Sequence, residues 1–211
     1  MTTRIVFLVA LILITAPALA GADHEARRSH YRVDADSQPR YITVRDETRR
    51  GGIWQEAILY ELDVYNRFLA NAGIPIVLVY VDAPINDCGS ADDKIIICSE
   101  TAPCQKPCGP YADGNWRGWV GGHMNPETRH IQTSVLHLND WWYSDYYGFP
   151  ADHVARKSII CHEMGHVFGM GHSTDPGSTC LNHADGNFHD TEPGPHDTEV
   201  LIATHGHLHG E

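Results

Sequence analysis

The chain has 211 residues, of which 42% are hydrophobic, and its formal net charge is −12 at pH 7. This size and composition fit one globular domain with at most a short extra piece, and they exclude disorder throughout the chain. The acidic balance argues against nucleic acid as the main partner, because binding to phosphates requires a positive surface.

Residues 1–20 have the pattern of a secretory signal peptide. Arg4 precedes an apolar run from Ile5 to Ile14, and Ala18-Leu19-Ala20 supplies small residues for cleavage near Ala20. The run is too short to span a bilayer, and no second apolar run of spanning length follows. We therefore expect a secreted monomer that is not bound to a membrane.

Residues 21–39 are polar and are interpreted as an N-terminal segment or a short propeptide, and the folded domain is placed at 40–211. The domain begins with a β-branched strand near 41–44. An amphipathic helix follows over 53–70, with apolar residues at helical spacing. A nearly continuous apolar strand over 74–81 is predicted to be buried on both faces, so the domain starts in an α/β arrangement.

Three more strands are predicted, at 94–97, 116–120 and 130–138. The last of these alternates incompletely, which favours a half-buried strand near an edge of the sheet. The aromatic-rich residues 141–150 either line a substrate cleft or pack as an ordinary loop. A final helix is predicted to begin near Asp197, and the histidines from His205 onward are expected in a frayed tail.

The strongest pattern is the run from His162 to His172, which reads H-E-x-x-H-x-x-G-x-x-H. On a helix His162 and His166 share one face and can bind the same ion, while Glu163 projects beside them. Gly169 permits a sharp bend that brings His172 back as a third ligand. Three nitrogen ligands leave one zinc position open, which is typical of catalytic rather than structural sites.

Six cysteines in an exported chain favour disulfides, although their pairing stays open. They are Cys88, Cys98, Cys104, Cys108, Cys161 and Cys180. A bridge between Cys161 and Cys180 would fix the loop beneath the metal to the helix that carries it. We expect the other four to close small loops within 88–108, and a zinc site of four thiolates there is the less favoured alternative.

With these residues the chain resembles the metzincin zinc metallopeptidases, above all their matrixin-like secreted bacterial type. The resemblance is concentrated in His162–His172, with weaker support from His172–Pro176 and from Pro195-His196-Asp197. It implies an α+β fold that is α/β-like in its N-terminal part. That fold has a twisted mixed sheet, an antiparallel edge strand, an active-site helix and a small C-terminal subdomain.

The resemblance also implies a zinc endopeptidase that acts on protein or peptide substrates. It would hold one catalytic Zn²⁺ on His162, His166 and His172, with Glu163 as the general base that deprotonates the attacking water. The edge strand, expected near 130–138, would bind the substrate backbone as an added strand. The sequence leaves open a structural Ca²⁺ or a second Zn²⁺ ion.

One departure from the family concerns the turn beneath the zinc, where metzincins have a methionine. No methionine follows Met170, and Leu181 is the best candidate for that position, with a similar volume and apolar character. Two residues later, His183 stands at the offset where some metzincins carry a tyrosine. It is a candidate oxyanion or switch residue, or else a solvent-facing loop histidine.

A second functional hypothesis follows from the missing methionine. The chain would then be a catalytically impaired zinc-binding protein that acts as a binding module. Glu163 disfavours this hypothesis, because a protein that only binds zinc has no need of a general base.

Overall fold

The structure is a computed structural model of the chain. It describes residues 30–32, 38–48, 54–83, 88–89, 94–100, 116–140, 153–173, 179–182 and 190–206. Outside these ranges lie the predicted signal peptide, the aromatic-rich residues 141–150, Cys104, Cys108 and His183.

Five strands and three helices are found in the described ranges. They are β1 (Arg40–Asp46), α1 (Gln55–Asn71), β2 (Ile76–Asp82), β3 (Lys94–Glu100), β4 (Gly118–Met124), β5 (Ile131–Asn139), α2 (His153–Val167) and α3 (Pro195–His205). The strands form one sheet in the order β2-β1-β3-β5-β4, and its neighbours are parallel except for β4 and β5. This architecture confirms the predicted fold class, a mixed α+β fold with an antiparallel edge strand. None of the three described helices has both the length and the apolar character needed to cross a membrane.

The antiparallel edge strand is β4, and the prediction that the edge lies at 130–138 is wrong. β5 is paired on both sides, in parallel with β3 and antiparallel with β4. The alternation predicted a half-buried strand because one of its two sets mixes polar and apolar residues, yet Ser134 of that set is 4% exposed, as is Thr133 of the other. Thr133 Oγ1 accepts the backbone N–H of His123 at 3.1 Å, and Ser134 Oγ lies 3.1 Å from the hydroxyl of Tyr31. Hydrogen bonding therefore makes these polar side chains compatible with an internal strand.

β2 forms the opposite edge of the sheet, and the prediction that it is buried on both faces is wrong. Ile76 and Leu78 are buried, whereas Val79 and Val81 are each 40% exposed. Valine suits the pleated surface of a strand even where one face meets solvent. Apolar composition alone therefore does not separate this edge strand from a central one.

The core lies where the sheet packs against α1 and α2. α1 packs on β2 and α2, and α2 packs on β4 and β5. The apolar stripe predicted for the first helix is confirmed by the burial of Trp54, Ile58, Leu62, Tyr65 and Leu69. The hydroxyl of Tyr65 also donates a hydrogen bond to the backbone carbonyl of Cys161 at 2.7 Å, which fixes α1 to α2.

A short part of the N-terminal segment belongs to this core. Tyr31 is fully buried, and its backbone N–H donates to His205 Nε2 at 3.2 Å. Its ring meets that of Phe168 edge-on, with centroids 5.6 Å apart. The prediction of a frayed tail from His205 onward is wrong for His205 itself, which ends α3 and is 2% exposed. Tyr31 thus joins the sheet, the end of α2 and the last helix.

Glu61 is a buried carboxyl group on the packed face of α1. It is 0% exposed, and neither of its oxygens has a hydrogen-bond partner among the described residues. Burial raises the pKa of Glu61 from 4.5 to about 9; nearby Lys157 and Arg67 oppose the rise and Glu192 adds to it. The side chain is therefore protonated in the folded protein at neutral pH.

The raised pKa predicts how stability depends on pH. The folded protein keeps a proton on Glu61 that the unfolded chain releases above pH 4.5, so this group lowers stability as pH rises from 4.5 towards 9. Glu61→Gln is neutral at every pH, so its Tm should exceed that of the wild type at pH 8 and match it at pH 4. Thermal unfolding of both proteins across this range measures the effect. Glu56→Gln, on the exposed face of the same helix, is the control, and an identical pH profile for wild type and Glu61→Gln would contradict the prediction.

Candidate metal centre

The chain reverses direction directly after α2, and this reversal brings the third histidine back. Gly169 has φ +76°, its N–H bonds to the carbonyl of His166, and the N–H of Met170 bonds to the carbonyl of Gly165, each at 3.0 Å. These two bonds form a Schellman motif, which ends a helix with one residue in the left-handed conformation. Glycine adopts that conformation without strain. The turn therefore returns His172 to the helix face that carries the other two histidines.

The side chains of His162, His166 and His172 converge on one point. His166 Nε2 lies 3.1 Å from His162 Nε2 and 3.2 Å from His172 Nε2, and one ligand atom of each ring lies within 4.8 Å of the others. Tetrahedral zinc with Zn–N bonds of about 2.0–2.1 Å separates its nitrogens by about 3.3–3.4 Å. All three side chains are half-buried, so the cluster is reachable from solvent. The spacing fits one Zn²⁺ ion.

Two backbone carbonyls select the ring nitrogen that faces the cluster. His162 Nδ1 lies 2.8 Å from the carbonyl oxygen of Cys180, and His166 Nδ1 lies 2.8 Å from that of Met170. Because a carbonyl oxygen only accepts hydrogen bonds, each Nδ1 carries the ring proton and each Nε2 presents its lone pair. Two unprotonated nitrogens at 3.1 Å do not hydrogen-bond to each other. Their close approach is that of converging metal ligands with carbonyl partners behind them.

Glu163 follows the first ligand, His162, directly on α2 and is 4% exposed. Its side chain packs against the first residue of β4, since a Cβ built on Gly118 would lie 2.8 Å from both Cγ and Oε1 of Glu163. The carboxylate is thus enclosed between α2 and the edge strand. The sequence pattern identified Glu163 but not Gly118, because a glycine within a strand predicts only a local weakening of that strand.

A disulfide and an apolar contact fasten the loop 179–182 to α2. Cys161 and Cys180 are bonded, with Cα atoms 5.9 Å apart. Leu181 is fully buried against Gly165, where an added Cβ would overlap its Cδ2. The carbonyl of Leu181 also accepts the N–H of Ser173 at 2.8 Å. Leu181 therefore packs directly on the metal-binding helix.

The same loop is tied to α3 by Asp197, which is 0% exposed. Asp197 Oδ2 accepts hydrogen bonds from the N–H of Gly194 at 2.6 Å and from the hydroxyl of Thr179. Thr179 Oγ1 in turn accepts the N–H of Leu181 at 3.1 Å. The sequence predicts a helix start at Asp197, and the bond to Gly194 caps that start. The bond to Thr179 crosses to another segment, and no local signal reveals it.

The other predicted site residues lie away from this cluster or outside the described residues. Cys88 and Cys98 form a second disulfide, with Cα atoms 5.9 Å apart. His183 falls outside the described ranges. Within the part of the chain that is described, the histidine triad is the one group of three or more His, Cys, Asp or Glu side chains that could hold a metal.

Comparison with known proteins finds similarity among solved structures. No protein-family model matches the chain, and no curated protein matches it. Among solved structures, archaemetzincin from Methanopyrus kandleri is similar, with 14% sequence identity and a TM-score of 0.48. The match covers 83% of this chain and 99% of the archaemetzincin chain. Identity and TM-score of this size do not indicate function, which has to rest on the geometry of the site.

Removal of one ligand should abolish stoichiometric zinc binding. We expect His162→Ala to fall from about one bound zinc per chain to a small fraction after dialysis, because two imidazoles hold the ion far less tightly than three. Metal analysis of the dialysed proteins measures the loss. His153→Ala, at the exposed start of the same helix, should keep its zinc, and full occupancy in His162→Ala would contradict the assignment.

Asp197→Ala should weaken both the fold and the metal site. The substitution leaves the N–H of Gly194 and the hydroxyl of Thr179 without their acceptor, at a cost of about 1–3 kcal/mol for each buried group. It also loosens the loop whose carbonyl orients His162, so zinc affinity should fall about 10–100-fold. Thermal unfolding and competition with a chromogenic chelator measure the two effects, with exposed Glu199→Ala as control. A lower Tm with unchanged zinc affinity would mean that Asp197 serves α3 alone.

Proposed function

We propose that the chain is a secreted, matrixin-like zinc endopeptidase. The observation that carries this proposal is the convergence of three histidine Nε2 atoms, two of them on the helix that also carries the buried carboxylate of Glu163. Structural zinc is usually closed by four protein ligands, whereas three ligands leave a position for water or substrate. The adjacent carboxylate is the group that a hydrolytic site needs in addition to the metal.

The chain supplies the ligands and the proton transfer for peptide-bond hydrolysis. His162, His166 and His172 would hold Zn²⁺, which when bound supplies a Lewis acid and lowers the pKa of water at the site towards neutrality. Glu163 accepts the proton of the attacking water and then donates it to the leaving nitrogen. The carbonyls of Cys180 and Met170 keep two of the rings in the required tautomer. No serine or cysteine nucleophile takes part.

A peptide substrate would bind along β4, so the role predicted for 130–138 moves to this strand. β4 forms an edge of the sheet, and its first residue contacts Glu163. An extended peptide can add to such an edge through backbone hydrogen bonds. This placement would bring a scissile bond past the carboxylate, which favours cleavage within a chain over removal of terminal residues.

Secretion is supported by the bonded cysteines and by the N-terminal sequence pattern. Both described disulfides, Cys88–Cys98 and Cys161–Cys180, are of the kind that persists in oxidising compartments. The apolar run near the N-terminus would be the hydrophobic region of a secretory signal peptide. The working form would be a monomer that meets protein or peptide substrates outside the cell.

Glu163→Gln tests the catalytic proposal. The amide keeps the shape of the side chain but does not accept the proton, so cleavage should fall about 10²–10⁴-fold. Zinc content should stay at the wild-type level. Cleavage of unfolded casein is measured at saturating zinc, with Glu199→Gln, an exposed carboxylate on α3, as the matched control. Undiminished cleavage by Glu163→Gln would refute its role as general base.

A chelation experiment on the wild-type protein distinguishes the two functional hypotheses, a peptidase and a zinc-binding module. A peptidase should lose cleavage when a chelator is added and regain it when zinc is restored. A binding module should bind zinc just as a peptidase would, but it should cleave no component of an unfolded-protein mixture. Mass spectrometry of the peptide products also gives the position of each cleaved bond, and exclusively terminal cleavage would contradict the endopeptidase assignment.

A further inference from the structure

We propose that Gly118 is a positioning residue for Glu163: the absence of a side chain at the first position of β4 sets where the carboxylate stands. The proposal rests on the proposed function and adds a residue that lies outside the metal motif. Gly118 binds neither metal nor substrate through a side chain. It acts through the space that it leaves.

The register of the sheet directs Gly118 towards the core. Gly118 pairs with Leu138 on β5, and Leu138 is 0% exposed and part of the main core. Paired residues on adjacent strands place their side chains on the same face. A Cβ at position 118 would therefore point at the packed face, where it would lie 2.8 Å from Cγ and Oε1 of Glu163 and 3.1 Å from Cδ. Carbon atoms in contact normally stand about 3.5–4.0 Å apart, so something would have to move.

Hydrogen bonds from the last residue of β5 fix the start of β4. The buried side chain of Asn139 donates through Nδ2 to the carbonyl of Trp116 at 2.8 Å, and its backbone N–H donates to the carbonyl of Arg117 at 3.1 Å. Both bonds hold the two residues that lead into Gly118. The strand therefore does not move away from the helix without breaking buried hydrogen bonds.

The helix is fixed as well. The residue two positions before Glu163 is bonded by disulfide to Cys180, and its carbonyl accepts the hydroxyl of Tyr65. With strand and helix both held, a side chain at position 118 displaces the Glu163 side chain. Because the contact includes Cγ as well as Oε1, the whole carboxylate has to rotate rather than its tip alone.

Displacement of a general base affects the chemical step more than substrate binding. Misplacement by about 1 Å can cost about 10²-fold in rate, because proton transfer depends on a narrow range of distance. The zinc ligands lie on other residues and keep their carbonyl partners. Gly118→Ala is therefore expected to lower kcat, leave KM within about twofold and leave the zinc content unchanged.

The test is a double-mutant cycle of Gly118→Ala and Glu163→Ala, with Tm, zinc content, kcat and KM as readouts. Glu163→Ala removes the atoms that the new Cβ would meet. The alanine at 118 should lower the Tm of the zinc-free wild type by several degrees and lower that of Glu163→Ala by less than half as much. In the active protein it should lower kcat at least tenfold, about 1.4 kcal/mol. Gly89→Ala, where an added Cβ meets no atom of the described residues within 4 Å, is the matched control and should change none of these.

The outcomes separate this proposal from the proposed function. An equal loss of Tm in both backgrounds, or an unchanged kcat, would overturn the positioning role. If Gly118→Ala does not fold, recovery of folding in the double variant supports the role, and failure of both variants overturns it. A wild-type chain that binds zinc and cleaves nothing refutes the peptidase, while the Tm cycle still reports whether Gly118 sets the place of Glu163.

Discussion

The carbonyl oxygen of Cys180 is the contact on which the metal centre most depends. It holds the Nδ1 proton of His162 and so directs the lone pair of Nε2 towards the other two ligands. This one oxygen is fixed by several independent attachments of its loop. The Cys161–Cys180 disulfide links the loop to α2, Leu181 packs against Gly165, and the Asp197–Thr179 bond links it to α3. These attachments hold a segment without regular structure in a fixed position against α2 and α3.

The placement of Glu163 has a different physical basis. Its side chain meets the backbone of β4, and the fit depends on the absence of atoms at position 118. Hydrogen bonds hold two of the ligands, whereas close packing places Glu163. Close packing tolerates no added methylene without displacement of a neighbour. The three histidine side chains stay half-buried.

Sequence patterns predicted the features that arise from neighbouring residues. The triad His162, His166 and His172 lies within a short stretch of chain, and helical periodicity together with the bend at Gly169 was enough to predict it. The fold class and the apolar stripe of α1 were predicted for the same reason. β5 was predicted at the edge of the sheet and has a partner on each side, whereas β2 was predicted to be buried on both faces and lies at an edge. The polarity of a strand does not show which strands pair with it. Ser134 belongs to the set that predicted a half-buried strand and is buried, while Val79 and Val81 were predicted to be buried and are each 40% exposed.

Contacts between distant segments left no readable signal. Gly118 and Glu163 meet across the sheet–helix interface, and Asp197 reaches Thr179 from 18 positions away. A single sequence records the composition of each partner but not the pairing. Leu181 was singled out by its spacing from the motif, whereas its contact with Gly165 depends on the tertiary packing that the disulfide helps to fix.

The contact between Tyr31 and His205 joins positions 174 residues apart. A chain that leaves the ribosome N-terminus first exposes Tyr31 long before α3 exists, so the core can close only after nearly the whole chain has been made. Such non-local closure is slow compared with the formation of a helix or hairpin. The order of assembly is therefore set by the last helix. Late closure of this kind would suit the export proposed above, because a chain crosses a membrane channel in an unfolded state.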